Sequence, residues 1–282
     1  MKLDVMKFMD EATRRRFRPI RPTKGFLNPS GASIETVNAE GDLEVRGQCM
    51  RRRWYKYHGY PEPPEDLESL LRMTCGEWIA AGVTEVFKRL GLYEGEEIDV
   101  IDDEIGFSGR IDLLLRDPKF TTEDIVELKT LFTYYSTKMC MEEAKLEHVL
   151  QTVLYLFFTR KAGRDVTDAH LFYIAPSTGQ VKIDSVNLAG DENGIYLNGK
   201  LQDYTIQDIL DREVYWKEVK DLGAPPRREF ELQYSKDKLK YLADSGKLSK
   251  TDTTKFKKSG TLDKGDFQCR YCPFAEECWK DE

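Results

Sequence analysis

Asp112 and the triplet Glu127-Leu128-Lys129 bring two carboxylates and an amine into one short stretch of the chain. Ile125-Val126-Glu127-Leu128-Lys129 alternates at the strand period of two. Ile125, Glu127 and Lys129 therefore share one face, and Val126 and Leu128 the other. Ile111 to Leu115 is apolar and strand-like, with Asp112 interrupting it, and Asp117-Pro118 and Thr121-Thr122 supply turn signals between the two stretches. A carboxylate on one strand beside a carboxylate-x-lysine on its neighbour can hold a hard divalent cation through oxygen ligands. The lysine can orient or deprotonate an attacking water and offset phosphate charge. Taken alone, the pattern also fits an exposed sheet face carrying one Glu–Lys pair.

Two further groups stand out. His148, Gln151 and Tyr155 are spaced three and four apart, so they share one face of a predicted helix whose other positions are strongly apolar. A polar stripe on an otherwise buried helix fits a stripe that faces a site. Near the C-terminus, Cys269-x-x-Cys272 is followed by Cys278. Structural zinc usually takes two close ligand pairs. Here there is one CxxC, no histidine lies beyond His170, and a fourth ligand has to come from Cys49, Cys75 or Cys140. Three local cysteines plus a distant one suit a 4Fe–4S cluster on four thiolates better than zinc. Cys75 and Cys140 fall inside predicted helices, where a buried free thiol is the ordinary role.

Gly109-Arg110-Ile111-Asp112 followed by Glu127-Leu128-Lys129 resembles the motifs of the PD-(D/E)xK nuclease superfamily. Gln151-x-x-x-Tyr155 resembles the Q-x-x-x-Y motif of its RecB-like branch. The cysteines resemble those of that branch's iron–sulfur nucleases, among them the AddB-type and CRISPR-associated exonucleases, which fits a phage-encoded origin as well. The resemblance runs from about Pro29 to Trp279. It implies a restriction-endonuclease-like core, an α/β fold with a mixed central sheet flanked by helices. It also implies Mg²⁺ or Mn²⁺ held by Asp112, Glu127 and the Leu128 carbonyl, with Lys129 positioning water and Gln151 and Tyr155 orienting Lys129 or the phosphate. Cys49 becomes the cluster's fourth ligand, because the family places its lone cysteine before an Arg-rich aromatic helix start, as in Cys49-Met50-Arg51-Arg52-Arg53-Trp54. One departure is visible: RecB-like nucleases often carry a metal-binding histidine four residues after a helix glycine, and Gly76 is followed there by Ala80. Glu77, one turn away, is the expected substitute.

The elements that must position these residues read as follows. Asp42 to Trp54 leads into a helix carrying Cys49. Glu65–Leu90 is a long helix, with Leu70, Trp78, Val86 and Leu90 among its recurring apolar positions and Gly91 as C-cap. Strands are expected near Ile98–Ile101, Phe107–Leu115 and Ile125–Leu131, then a helix from about Met141 to Thr159. A hairpin of Ala169–Ala175 with Gln180–Val186 and an amphipathic helix Thr205–Leu222 follow. The domain reading is an N-terminal segment, residues 1–64, contributing Cys49; the nuclease core, 65–222; and a Lys-rich segment ending in the cysteines, 223–282.

Composition sets the outer limits. The chain has 282 residues, 40% hydrophobic and 33% charged, as in globular proteins, and no run approaches a membrane span. Six cysteines without an export signal fit reduced thiols and a cytoplasmic setting, host cytoplasm if the source is a virus. A net charge of −7 does not advertise a nucleic-acid binder, yet cations cluster at Arg14-Arg15-Arg16 with Arg18, Arg21 and Lys24, at Arg51-Arg52-Arg53, and at Lys247, Lys250, Lys255, Lys257 and Lys258. Each cluster is interleaved with aromatics (Phe17; Trp54, Tyr55 and Tyr57; Phe256), the composition of a single-strand groove. The reading is a metal-dependent exonuclease on single-stranded DNA ends. The alternative is a non-catalytic nucleic-acid-binding or assembly subunit that keeps the fold and cluster, for which Ala80 is the best support.

Overall fold

The computed structural model describes residues 27–37, 41 and 43–280. The cluster of Arg14 to Lys24 with Phe17 lies outside them. The described elements are β1 (Ser33–Val37), β2 (Leu43–Gly47), α1 (Met50–Tyr57), α2 (Leu67–Leu90), β3 (Tyr93–Asp102), β4 (Phe107–Leu115), β5 (Glu123–Thr130), α3 (Tyr134–Glu142), α4 (Leu146–Lys161), β6 (Val166–Ala175), β7 (Gln180–Leu188), β8 (Gly194–Leu197), β9 (Lys200–Thr205), α5 (Ile206–Val219), α6 (Lys236–Asp244), α7 (Lys250–Ser259), α8 (Phe267–Arg270) and α9 (Ala275–Cys278). They fall into two compact units: the chain to Gly47 with Pro64–Glu218, and Gln48–Pro63 with the chain from Val219 onward.

In the first unit, β3 to β9 form one seven-stranded sheet whose spatial order is the chain order. Every neighbouring pair is antiparallel except β5 and β6. A parallel pair needs a crossover, and α3 with α4 supplies it. This is the mixed, helix-flanked sheet expected from the sequence. Helix α4 is apolar nearly all round, as a helix packed inside a domain must be. Its Val149, Leu150, Val153, Leu154 and Phe158 are at most 1% exposed and pack with Phe107, Ile111, Ile125 and Leu171 of the sheet. Phe158 stacks on Phe107 with ring centroids 4.0 Å apart. Burial of each such side chain is worth about 1.5–3 kcal/mol, so α4 is the element that fixes this side of the sheet. Helix α2 begins at Asp66, whose carboxylate accepts the Ser69 amide hydrogen at 2.6 Å, and ends at Gly91 in the left-handed region.

Several expectations need correction. Residues 43–47, read as the run-in to a helix, form β2 because Leu43-Glu44-Val45-Arg46 alternates and pairs with β1 in the register Ser33–Gly47. Cys49 is consequently the residue before helix α1, not within it. The single helix from Met141 is two. A reciprocal capping pair, Thr133 and Ser136, starts α3, and extended Glu143 ends it before α4 begins. Strand β3 is longer than read. Thr205 closes strand β9 instead of opening a helix. In α2, Trp78, Val86 and Leu90 are 56%, 54% and 63% exposed, while Thr74 and Thr84 are buried with their hydroxyls donating to the Leu70 and Ala80 carbonyls. The Lys-rich stretch after Gly223 contains α6 and α7, each capped by a serine: Ser235 accepts from the Lys238 amide and Ser249 from that of Asp252. Among the described residues no helix is long and apolar enough to cross a membrane.

Candidate active site

The site begins where β4 and β5 stop pairing. Their ladder runs from Leu115–Asp124 through Leu114–Ile125 to Leu113–Val126 and goes no further. One step on, the Asp112 Oδ2 accepts the backbone N–H of Leu128 at 2.8 Å. A side-chain carboxylate thus replaces the missing ladder acceptor. Because N–H and C=O of one strand residue point the same way, the Leu128 carbonyl also faces this gap.

Glu127 is 1% exposed. Its Oε1 accepts from Lys129 Nζ at 2.6 Å, while Oε2 is buried without any hydrogen-bond donor. Burial first, then the Asp112 charge beside it, pushes the Glu127 carboxyl up to about 8, and Lys129 offsets only part of this. Asp112 is raised for the same leading reason, burial, against the pull of the Leu128 amide and Lys129. Without a cation the pair is relieved by a proton kept on Glu127, and when that proton leaves the two carboxylates offer oxygen ligands to a hard cation.

Lys129 continues the chain of contacts. Its Nζ donates to Gln151 Oε1 at 2.9 Å, and Gln151 Nε2 donates to the Tyr155 hydroxyl at 3.2 Å. Gly109 makes that approach of α4 to β4 feasible: a Cβ there would stand 2.6 Å from Tyr155 Cε1 and 2.7 Å from Pro29 Cγ. His148, on the same helix face, is turned elsewhere. Its Nδ1 bonds the Tyr173 hydroxyl at 3.0 Å, which also accepts the Lys145 amide hydrogen. Burial, with the charges of Lys129 and Lys145, lowers its pKa to about 3, so it is neutral.

A cleft of about 520 Å³ opens over these residues. Asp112, Leu128 and Lys129 line it, together with Glu77 and Ala80 of α2 and Glu97 of β3. The α2 wall therefore presents Ala80 where an imidazole was sought, and Glu77 beside it. Glu97 was not picked out from the sequence. Arg110 Nη1 donates to its Oε2 at 2.8 Å, and Arg110 Nε to Asp99 Oδ1 at 3.2 Å.

The second unit contains Cys49, Cys269, Cys272 and Cys278, whereas Cys75 and Cys140 belong to the first. Burial raises the Cys49 thiol to about 12, with the charges of Glu229 and Cys269 adding to it. Cys269 rises to about 11, by burial and then by Cys278, Asp266 and Cys272. Burial also raises Cys272, and thiols held together out of water form a donor set of the type a cationic centre relieves. Among the described residues, though, no three His, Cys, Asp or Glu side chains already converge as a closed metal-ligand set. The unit is held by direct bonds: the Met50 amide donates to Glu229 Oε2 at 2.8 Å, and Arg228 Nη2 to the Cys278 carbonyl at 2.7 Å.

The basic clusters fare unevenly. Lys255 and Lys257 are exposed on α7, but Phe256 between them is buried. Trp54 and Tyr55 are each 3% exposed, packed on His58, Tyr60 and Phe274, so they cannot stack on bases as expected. Arg51 lies near the Tyr55 hydroxyl and Arg52 near Cys272.

The sequence matches the PD-(D/E)XK nuclease superfamily over residues 31–279. The chain belongs to that superfamily, whose members are generally nuclease hydrolases using Mg²⁺ or Mn²⁺ on nucleic acid. Among curated proteins none matches it. A solved structure titled "Crystal structure of SSO0001" is similar over 99% of this chain and 98% of that chain, at 14% identity and a TM-score of 0.46.

Proposed function

We propose that the protein is a metal-dependent deoxyribonuclease of the RecB-like branch, an exonuclease acting on single-stranded DNA ends. The observation that carries this reading is the buried, donorless Oε2 of Glu127 beside Asp112, with Lys129 bonded to the other oxygen. Asp112, Glu127 and the Leu128 carbonyl would hold the cation, with Glu77 approaching from the α2 wall. A bound Mg²⁺ or Mn²⁺ supplies positive charge for the phosphoryl oxygens and acidifies water. Lys129 holds a water at its ammonium for in-line attack and balances phosphate charge. Gln151 and Tyr155 fix the Lys129 rotamer through their chain of hydrogen bonds.

Cys49, Cys269, Cys272 and Cys278 are assigned a structural 4Fe–4S cluster, supported by their shared unit and by the raised thiols of Cys49, Cys269 and Cys272. The cluster would tie the Gln48–Pro63 segment to the C-terminal part of that unit. Residues 65–222 are taken as the nuclease core. Arg51, Arg52, Arg53, Lys255 and Lys257 are assigned to phosphate contacts, in a cytoplasmic setting. A second reading, a non-catalytic DNA-binding subunit, is favoured by one observation: Ala80 leaves no imidazole on the cleft wall. Digestion of end-labelled single strands with Mg²⁺, Mn²⁺ or EDTA decides between them.

A further inference from the structure

We propose that Glu97 is a third carboxylate ligand of the cation site, entering from β3 and parked on Arg110 until the ion arrives. The proposal rests on the reading that Asp112 and Glu127 hold the ion.

β3 pairs with β4 through Glu96–Leu113 and Ile98–Ile111, so Glu97 falls opposite Asp112. β4 and β5 last pair at Leu113–Val126, and just past that step the Asp112 and Glu127 carboxyls lie against each other. Three carboxylates thus stand in one row across three adjacent strands. Like charges brought together on neighbouring strands repel. Asp112 does feel the Glu97 charge. A row of this kind destabilises a sheet unless something positive enters it.

Lys129 provides one cation, but it is committed to Glu127 and Gln151. Arg110 provides another at the far side of Glu97, shared with Asp99. The second oxygen of Glu127 is buried with no amide or basic group donating to it. The Glu97 side chain is 62% exposed and lines the same cleft as Asp112. It is free to rotate from Arg110 toward Asp112, and Arg110 keeps Asp99 when it does. Glu97 also has φ +54° inside a strand, which its exposed ion pair with Arg110 is too weak to impose. Ala80 offers no ligand from α2, so a ligand from β3 fills a real need.

Mn²⁺ binding, measured by loss of the free-ion EPR signal in the full-length protein, tests this without reference to cleavage. Wild type should bind, and Asp112→Asn should abolish binding. Glu97→Gln should weaken affinity by about ten-fold or more, the loss typical when a group supporting a metal is removed. Glu96→Gln removes the same charge one residue away, from a side chain that also lines the cleft but is paired with Lys88, and should change affinity less than about two-fold, since an exposed charge acts weakly through solvent. Arg110→Gln should leave affinity equal or higher, because it frees Glu97. Should Glu97→Gln misfold, Glu97→Asp keeps the charge and should bind between the two. Equal Mn²⁺ affinity in wild type and Glu97→Gln, with Asp112→Asn silent, overturns the role of Glu97 alone. Equal losses in Glu97→Gln and Glu96→Gln also overturn it, as a field effect. Absence of binding in wild type overturns the ion-holding reading and this proposal together.

Discussion

Asp112 accepts the amide hydrogen of Leu128 at 2.8 Å, so one carboxylate both ends the β4–β5 ladder and forms the floor of the cleft. That dual position separates two effects of mutation. Asp112→Asn keeps an acceptor for the Leu128 amide, whereas Asp112→Ala leaves that donor without its partner, which costs about 1–3 kcal/mol where it stays dry. Losing the charge beside Glu127 offsets part of this. Both variants should lose cleavage, and only Asp112→Ala should show a lowered denaturation midpoint in EDTA relative to Asp112→Asn.

Gly109→Ala should displace Tyr155, which its new Cβ would meet at 2.6 Å. Overpacking of this sort costs about 1–3 kcal/mol. Cleavage should fall with stability, because Tyr155 supports Gln151 and through it Lys129. Gly82→Ala, where a Cβ meets nothing within 4 Å, is the matched control and should stabilise α2 by about 0.5–1 kcal/mol. Thermal melts of the two variants check both directions.

His148 gives stability a pH dependence of definite sign. Its folded pKa is about 3 against an ordinary 6.5, held down by burial and by Lys129 and Lys145. Between those values the unfolded chain binds a proton and the folded protein does not. This contribution is therefore complete above 6.5 and declines as pH falls toward 3. From pH 7 to pH 5 wild type should lose about 2 kcal/mol more than His148→Gln. Urea titrations of both proteins in EDTA at the two pH values measure the difference.

Purified anaerobically, the protein should be brown, from thiolate-to-iron charge transfer. Cys49→Ser, Cys269→Ser, Cys272→Ser and Cys278→Ser should each bleach it. Cys75→Ser and Cys140→Ser should not, since both residues lie in the other unit. Colourless protein carrying stoichiometric zinc contradicts the cluster.

Much of the site is written locally. Glu127-Leu128-Lys129 declares its strand by alternation, and the Gln151–Tyr155 spacing declares a shared helix face; both depend on residues within one turn or one strand. Glu97 depends on the register of β3 against β4, which no local pattern encodes. The need for glycine at 109 comes from Tyr155, 46 positions away, and is equally silent. His148 fits the stripe by spacing yet bonds Tyr173, because tertiary packing decides which of several polar neighbours it meets. The buried rings of Trp54, Tyr55 and Phe256 mislead for a related reason: an aromatic beside a cation looks the same in sequence whether it serves a core or a groove. At the β8–β9 turn Asn198-Gly199 is a hairpin signal that the sequence reading does not use, and both residues adopt positive φ. The short flanking strands hid it.

The central claim is that Asp112, Glu127 and Lys129 act as one hydrolytic unit. The most direct measurement is digestion of end-labelled single-stranded DNA by wild type, Glu127→Gln and Lys129→Ala with Mn²⁺, beside binding of the same DNA in EDTA. The account predicts cleavage by wild type alone, with each variant's rate reduced by orders of magnitude, because removing one member of such a unit removes most of the effect. Binding in EDTA should hold or rise for Glu127→Gln, which loses a negative charge, and fall only slightly for Lys129→Ala. Wild type that binds DNA but leaves it uncut with either metal, or variants that cut as fast as wild type, contradicts it.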